Sequence, residues 1–559
     1  LYKRSVFFIS ITIIIAIFVQ QFYLVQPLGK KVTITPKYTK HILLIPLDSR
    51  PPCAKFVVDA GKMADIEVIT PPPDIMDYYT EPGNTKKLQA WLQMNAPSAD
   101  GIIISVDQLL YGGLLASRQS FGKDTEENSL WQTLVDIRSQ NPQLPIYAFN
   151  ILPRITPPSN IDSVKDIKNL MQYSRLTDRF SRFYEEKDLL KIEKLRAKIP
   201  EEHLEQYIDL YNRNLELNKK LINLAADKVL TKLVIGQDDG EKYGIPNMER
   251  RNLQRYTAAK QLDANTVTIT HGADEVGMSL LFNMAQLFKQ QNYAPKVFVA
   301  YNETASAQAI LPYMAAPVGQ IVSEKIAMTG GQIVQSPEAA DFILYVHIGN
   351  SKNLSTRLLG AKRVNNWLAA GKKVAIVDLS KHFSAEETLL PVLLQNDVPV
   401  NQLTAYSGWN TASNSIGTAV SQASIYCQAA EDSYSTDAVL RLTYNNLTIL
   451  YDHFVEDYFY LKGTVDAVNT ALRKAGIDNV SDLNMDNNYL WANRMLADSL
   501  QRQLAKFTHS KASRSPITLQ TPDGLQRIYL QDINVNAFFP WPRTFEIYTD
   551  VNFSMNIMK

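Results

Sequence analysis

Ten short apolar runs, rich in isoleucine and valine, recur along the chain after residue 40: HILLIP, IEVIT, GIIISV, PIYAFNIL, KLVIG, TVTIT, PKVFVA, FILYVH, KKVAIV and LTAYS. They show little alternation of apolar and polar residues, which is the pattern of parallel strands covered on both faces. Helical stretches such as TKKLQAWLQMN and RVNNWLAAG lie between them, so the repeating unit is strand then helix and the class is α/β. Ten strands exceed one eight-stranded barrel. The chain is therefore expected to hold either a parallel (β/α) barrel-like domain and a smaller doubly wound one, or two doubly wound domains side by side.

The spacing of these runs divides the chain. An N-terminal segment, 1–29, comes first, then an α/β domain over 40–294, a second, smaller α/β domain over 295–427, and a mainly helical region with a short β tail over 428–559. Within the first domain, residues 161–228 carry dense charge and helical periodicity, and read as a helical hairpin inserted on one face. In the N-terminal segment Lys3 and Arg4 precede an uncharged stretch from Ser5 to Val25, long enough at 1.5 Å per residue to span about one bilayer core. No small-x-small cleavage site precedes Lys30 and Lys31, so an uncleaved membrane anchor is expected ahead of a signal peptide, with the rest of the chain outside the cytoplasm.

Composition narrows the function. The 559 residues carry 57 Lys+Arg against 56 Asp+Glu, and a net charge of +1 gives no electrostatic argument for a nucleic-acid partner. Two cysteines, Cys53 and Cys427, make neither a disulfide framework nor a cysteine zinc site. No GxSxG elbow, GxGxxG or GxxxxGK[ST] loop is present, so neither serine hydrolysis nor a nucleotide cofactor is indicated, and no cofactor is expected.

The strands end in charge. Asp48 and Arg50 follow the first run, Asp107 the third, Arg154 the fourth, Asp238 and Asp239 the fifth, and Asp274 and Glu275 the sixth. In parallel α/β folds the carboxyl ends of strands share one edge, where sites are built from successive loops, so these residues are expected around one acidic cleft. An aspartate after a strand is also a common helix N-cap, which is the plain alternative for each taken singly. Two adjacent carboxylates repel in a partly buried site, which lifts one toward neutrality and leaves a proton donor beside a charged base. Glycoside hydrolysis uses such a pair. Asp238 and Asp239 are the first candidate pair and Asp274 and Glu275 the second, with the glycines flanking the first supplying the bend it needs. Asp48, Arg50, Asp107, Arg118, Arg154, Trp409 and Asn410 are the candidate substrate-binding residues, the last two offering a flat apolar face and an amide for a sugar. A divalent cation held by Asp48, Asp107, Asp238, His271 and Asp274 is the competing explanation, although no metal-binding spacing supports it.

The motifs PLDSRP (46–51), YGGLLASR (111–118), LPRITPP (152–158), QDDG (237–240), GADEVG (272–277), SGWNTASNSIGTA (407–419) and FPWPRTFE (539–546) span nearly all of the chain after residue 40. In them the sequence resembles a bacterial family known only as a domain of unknown function, which implies no established activity. A weaker similarity to acetamido-sugar glycoside hydrolases is confined to the paired acids at a strand end, and is an analogy of site. The expectation is an exported, anchored glycoside hydrolase acting on extracellular or cell-wall glycan. The alternatives are a non-catalytic carbohydrate-binding or envelope-assembly protein and a metal-dependent hydrolase.

Overall fold

The computed structural model describes residues 30–119, 124–290, 293–350, 352–408 and 411–558. The expected anchor, 1–29, and the pair Trp409 and Asn410 lie outside the described residues. A two-residue strand, β1 (Lys30–Lys31), precedes a six-stranded sheet of β2 (Lys40–Ile45), β3 (Ile66–Ile69), β4 (Gly101–Ser105), β5 (Ile146–Leu152), β6 (Lys232–Gln237) and β7 (Val267–His271). All neighbours are parallel and the order is β3-β2-β4-β5-β6-β7. The sheet stays open, with β3 and β7 as its edges, so of the two arrangements expected here the doubly wound one is found and the barrel is not.

The missing alternation in the strands has a direct cause. Ile42 and Leu44 of β2 enter one core with Ile103, Phe149 and Ile151, while Leu43 and Ile45 enter a second with Ile102, Ile104, Ile146 and Ala148. Successive side chains point to opposite faces, and helices cover both. Each fully buried isoleucine or leucine contributes roughly 1.5–3 kcal/mol, so both faces must be apolar for the sheet to hold its place.

A second parallel sheet comes next, with β8 (Lys296–Tyr301), β9 (Gln332–Ile333), β10 (Phe342–Gly349), β11 (Val374–Ser380) and β12 (Ala405–Ser407) in the order β12-β11-β10-β8-β9. The winding repeats that of the first sheet, since in each the first strand lies between the second and the third. The ten apolar runs account for all the strands of both sheets except β9, whose two exposed residues are too few to form a run. Residues 164–226 form three helices instead of a hairpin, Val164–Phe183, Glu186–Arg196 and Glu201–Ala226.

The helix Ala412–Glu431 joins the two sheets. It is buried along almost its whole length, packs against the helices Val276–Lys289 and Val318–Met328, and runs straight through residues 427 and 428. Small residues permit this, as where Ser421 meets Ser279 at 2.8 Å between hydroxyls. Beyond it lie the helix Thr436–His453, a π-helical segment Phe454–Thr464, and the helices Val465–Lys474 and Asn488–Thr508. The chain ends in β13 (Ile517–Thr521), β14 (Gly524–Phe538) and β15 (Tyr548–Ile557), an antiparallel sheet that takes β1 as its fourth strand.

Candidate functional site

In the first sheet, β2 connects to β3 on one side and pairs with β4 on the other, so the winding reverses between β2 and β4. Ligand crevices in open α/β sheets form outside the carboxyl ends of strands at such a point. The loop after β2 carries Asp48, Ser49 and Arg50; β4 runs directly into a short helix bearing Asp107, and then into Arg118. Arg154 follows β5, Asp238 and Asp239 follow β6, and Asp274 follows β7. The segment after β12 adds Thr411 and Asn414 at the start of the helix Ala412–Glu431, and the C-terminal region adds Trp541, Arg543 and Glu546.

An inner cluster is tightly satisfied. Arg50 donates to both oxygens of Asp48, with Nη2 at 2.6 Å from Oδ2, and the same Nη2 donates to Asp274 Oδ1 at 2.8 Å. Asn414 fixes Asp274 from the other side: its Nδ2 donates to Asp274 Oδ2 at 3.1 Å and its Oδ1 accepts from the amide of Ala273 at 3.0 Å. Burial pushes Asp274 up, with Asp48 and Asp238 adding to the rise against the pull of Arg50. Trp541 closes this side, its indole N–H donating to Ser49 Oγ at 2.9 Å while the guanidinium groups of Arg50 and Arg543 lie 5.5 and 4.7 Å from its ring centre. Arg543 is held by Glu546 through bonds of 3.0 and 2.9 Å.

The outer cluster is more open. Asp238 pairs with Arg118, whose Nη2 donates to Oδ2. Asp239 accepts from Thr411 Oγ1 at 3.2 Å and faces Arg154 Nη1 at 3.9 Å. The two carboxyls are displaced in opposite directions. Burial would lift Asp238, but Arg118 and Arg154 outweigh it and hold the group below its ordinary value. Asp239 is pushed up to about 7, by burial first and then by the negative charge of Asp238. Gly240 follows the pair and passes so close to Ala315 that a Cβ would lie 2.9 Å from the alanine methyl.

Two expected residues lie elsewhere. Glu275 precedes the helix Val276–Lys289 without capping it and turns inward, where its carboxylate pairs with Lys325 and both side chains are fully buried. Gly417 and Gly272 leave it the space, since a Cβ on either would lie 2.3–2.4 Å from a Glu275 side-chain atom. Asp274 and Glu275 therefore do not face one cleft as a pair. Asp107 is wholly buried beneath the cleft; its Oδ2 accepts the amide of Ile151 at 2.9 Å, and burial raises it to about 7. It braces β4 against β5 and does not reach the opening.

His271 is likewise taken up, by Arg250 and by Glu324 at 2.7 Å. Among the described residues no three His, Cys, Asp or Glu side chains converge as a cation site requires. Arg50, Arg118, Arg154 and Arg543 interleave with the acids of the expected cleft.

Thr411 is a part that the sequence did not mark: it follows the Trp-Asn pair directly but carries no signal of its own. Trp541 lies in the aromatic cluster FFPWPRTFE, whose sequence fits either packing of the tail onto the body or rimming of the cleft. Asp77 is buried near the twin glycines, where a Cβ on Gly113 would lie 3.2 Å from its carboxyl carbon and from Gln108 Oε1. Burial, with Asp48 nearby, raises it strongly. No curated protein matches the chain. The matching family model covers residues 42–550, from within β2 to within β15 and through every loop of the cleft, and the chain belongs to that family, described as Protein of unknown function (DUF4127).

Proposed function

We propose that the chain is a glycoside hydrolase with Asp239 as its proton-transfer group and Asp238 as its fixed carboxylate. The observation that supports this is the opposite displacement of two adjacent carboxyls in one cleft, Asp239 near 7 and Asp238 below its ordinary value. A carboxyl poised near neutral pH can protonate the glycosidic oxygen as the bond to the leaving sugar breaks, and then take a proton from the attacking water. Asp238 is held by Arg118 and kept ionised, which makes it a weak nucleophile and a good electrostatic partner for positive charge developing at the sugar ring. On an N-acetylhexosamine the acetamido oxygen would attack the anomeric carbon, with Asp238 accepting the acetamido N–H.

The substrate follows from the expected location. Export and anchoring through residues 1–29 place the cleft where cell-wall or extracellular glycan is available; this part of the proposal rests on Lys3, Arg4 and the apolar stretch after them. Among the described residues no helix is long and apolar enough to cross a membrane.

The test is hydrolysis of aryl N-acetylhexosaminides and wall glycans by purified protein and by Asp238→Asn and Asp239→Asn. Each variant should lose about 10²–10⁴-fold in kcat, the usual range for a positioned acid or base. Wild-type activity should fall as pH rises past about 7, as Asp239 loses its proton. Unchanged activity in both variants, or no hydrolysis of any glycan, would sink the assignment. Retained glycan affinity without hydrolysis would turn the reading to carbohydrate binding.

A further inference from the structure

Arg154 is the least satisfied cation of the cleft. Its side chain is 38% exposed, and the nearest carboxylate oxygen, on Asp239, lies 3.9 Å away, beyond hydrogen-bonding reach. Its neighbours have close partners: Arg118 holds Asp238, and Arg543 grips Glu546. Both still depress the basicity of Arg154, Arg118 most of all, then burial, with Arg543 adding a smaller part. Arg118 Nε is also buried and without a partner among the described residues. Three guanidinium groups thus lie near one another, and Arg154 has the carboxylates of Asp238 and Asp239 nearby without a close ion pair to either.

We infer that the cleft takes a glycan bearing an anionic substituent, a carboxylate or a phosphate, and that this anion seats on Arg154 in place of Asp239. The inference rests on the glycoside-hydrolase reading of the cleft and adds the charge of the substrate. A guanidinium fork binds either anion through two parallel bonds, and such charge-assisted bonds are about twice as strong as neutral ones.

Seating the anion has a consequence for the acid. Asp239 is faced by Asp238 and Asp274, by Arg118 and Arg154, and by the Thr411 hydroxyl. Adding a negative charge beside it, and drawing Arg154 away, disfavours its ionised form. Binding therefore takes up a proton from solvent onto Asp239, at most one per site, and leaves the acid loaded for the leaving oxygen. The charge of the substrate would prepare the catalyst.

Calorimetric titration of the full chain at pH 7, in two buffers of different ionisation enthalpy, tests this with four probes: trigalacturonate, glucose 6-phosphate, neutral chitotriose and inorganic phosphate. An anionic sugar should bind about tenfold tighter than chitotriose, with net proton uptake. In Arg154→Gln the ratio of the two affinities should fall to about one, and Arg154→Lys should keep part of the preference. Asp239→Asn should keep the preference and lose the proton uptake. Equal affinities, or a preference that survives Arg154→Gln, would overturn the inference, and in a chain that hydrolyses neutral glycans would leave the hydrolase reading standing. Phosphate binding that depends on Arg154, with no sugar bound and no glycan hydrolysed, would overturn the glycan part and the hydrolase reading together.

Discussion

Two neighbouring strands end in the same kind of sequence and put it to different ends. After β6, Asp238 and Asp239 both stay at the opening, one held by Arg118 and the other near Thr411 and Arg154. After β7, Asp274 turns to the cleft and Glu275 turns away from it, to a lysine in the interior. The difference lies in the backbone immediately after each doublet. Gly240 continues an irregular loop after the first, whereas a helix starts at Val276 directly after the second, and its geometry sends consecutive side chains apart. A pair of acids is a site only where the backbone lets both look the same way.

This contrast can be broken at its most rigid point. Lys325→Ala would leave Glu275 as an uncompensated buried carboxylate, and denaturant unfolding should show a loss of about 3–5 kcal/mol. Much of that loss should return in Glu275→Leu combined with Lys325→Met. A small loss in the single variant would mean that Glu275 reaches water, and the two doublets would then be alike.

A smaller effect is expected where the helix Ala412–Glu431 holds Asp274. Asn414→Ala removes a donor to Asp274 and an acceptor for the Ala273 amide, both buried, and should cost about 1–3 kcal/mol by the same measurement. No change would mean that the helix Ala412–Glu431 merely lies over the cleft.

The smallest effect separates Asp239 from Asp238 by pH. Asp239 is raised, so the folded chain binds a proton there that the unfolded chain has released between about pH 4 and 7. Its contribution to stability is fully present below the unfolded value and is lost as pH rises through about 7. Asp238 is lowered, so its contribution is present above the unfolded value and lost as pH falls through the folded one. Asp239→Asn should therefore gain on the wild type between pH 5 and pH 8, by about 1 kcal/mol once solvent screening is allowed for. Thermal unfolding at the two pH values measures this, and an equal effect at both would remove the displacement on which the proton-transfer role rests.

Much of the fold is legible from local pattern. Ile42, Leu43, Leu44 and Ile45 must all be apolar when a sheet is covered on both faces, and a run of that kind needs no knowledge of its neighbours to be recognised. Strand β9 shows the limit, because two exposed residues at an edge are paired by backbone atoms alone. The choice between barrel and open sheet was equally invisible, since both are built from the same strand–helix unit and differ only in whether the edge strands meet.

The site divides along the same line. Charged residues after strands can be named from the chain alone, because parallel strands carry their carboxyl ends to one edge whatever the packing around them. By itself, then, the sequence determined two parallel sheets and a charged crevice at the end of the first. Only the tertiary structure decided that Glu275 serves Lys325, that Asp107 braces β5, and that Asn414 and Trp541 come from distant segments to close on Asp274 and Ser49. The reason is physical. Strand polarity is a property of the backbone, while the partner and protonation of each carboxyl depend on burial and on charges brought within a few ångströms by packing.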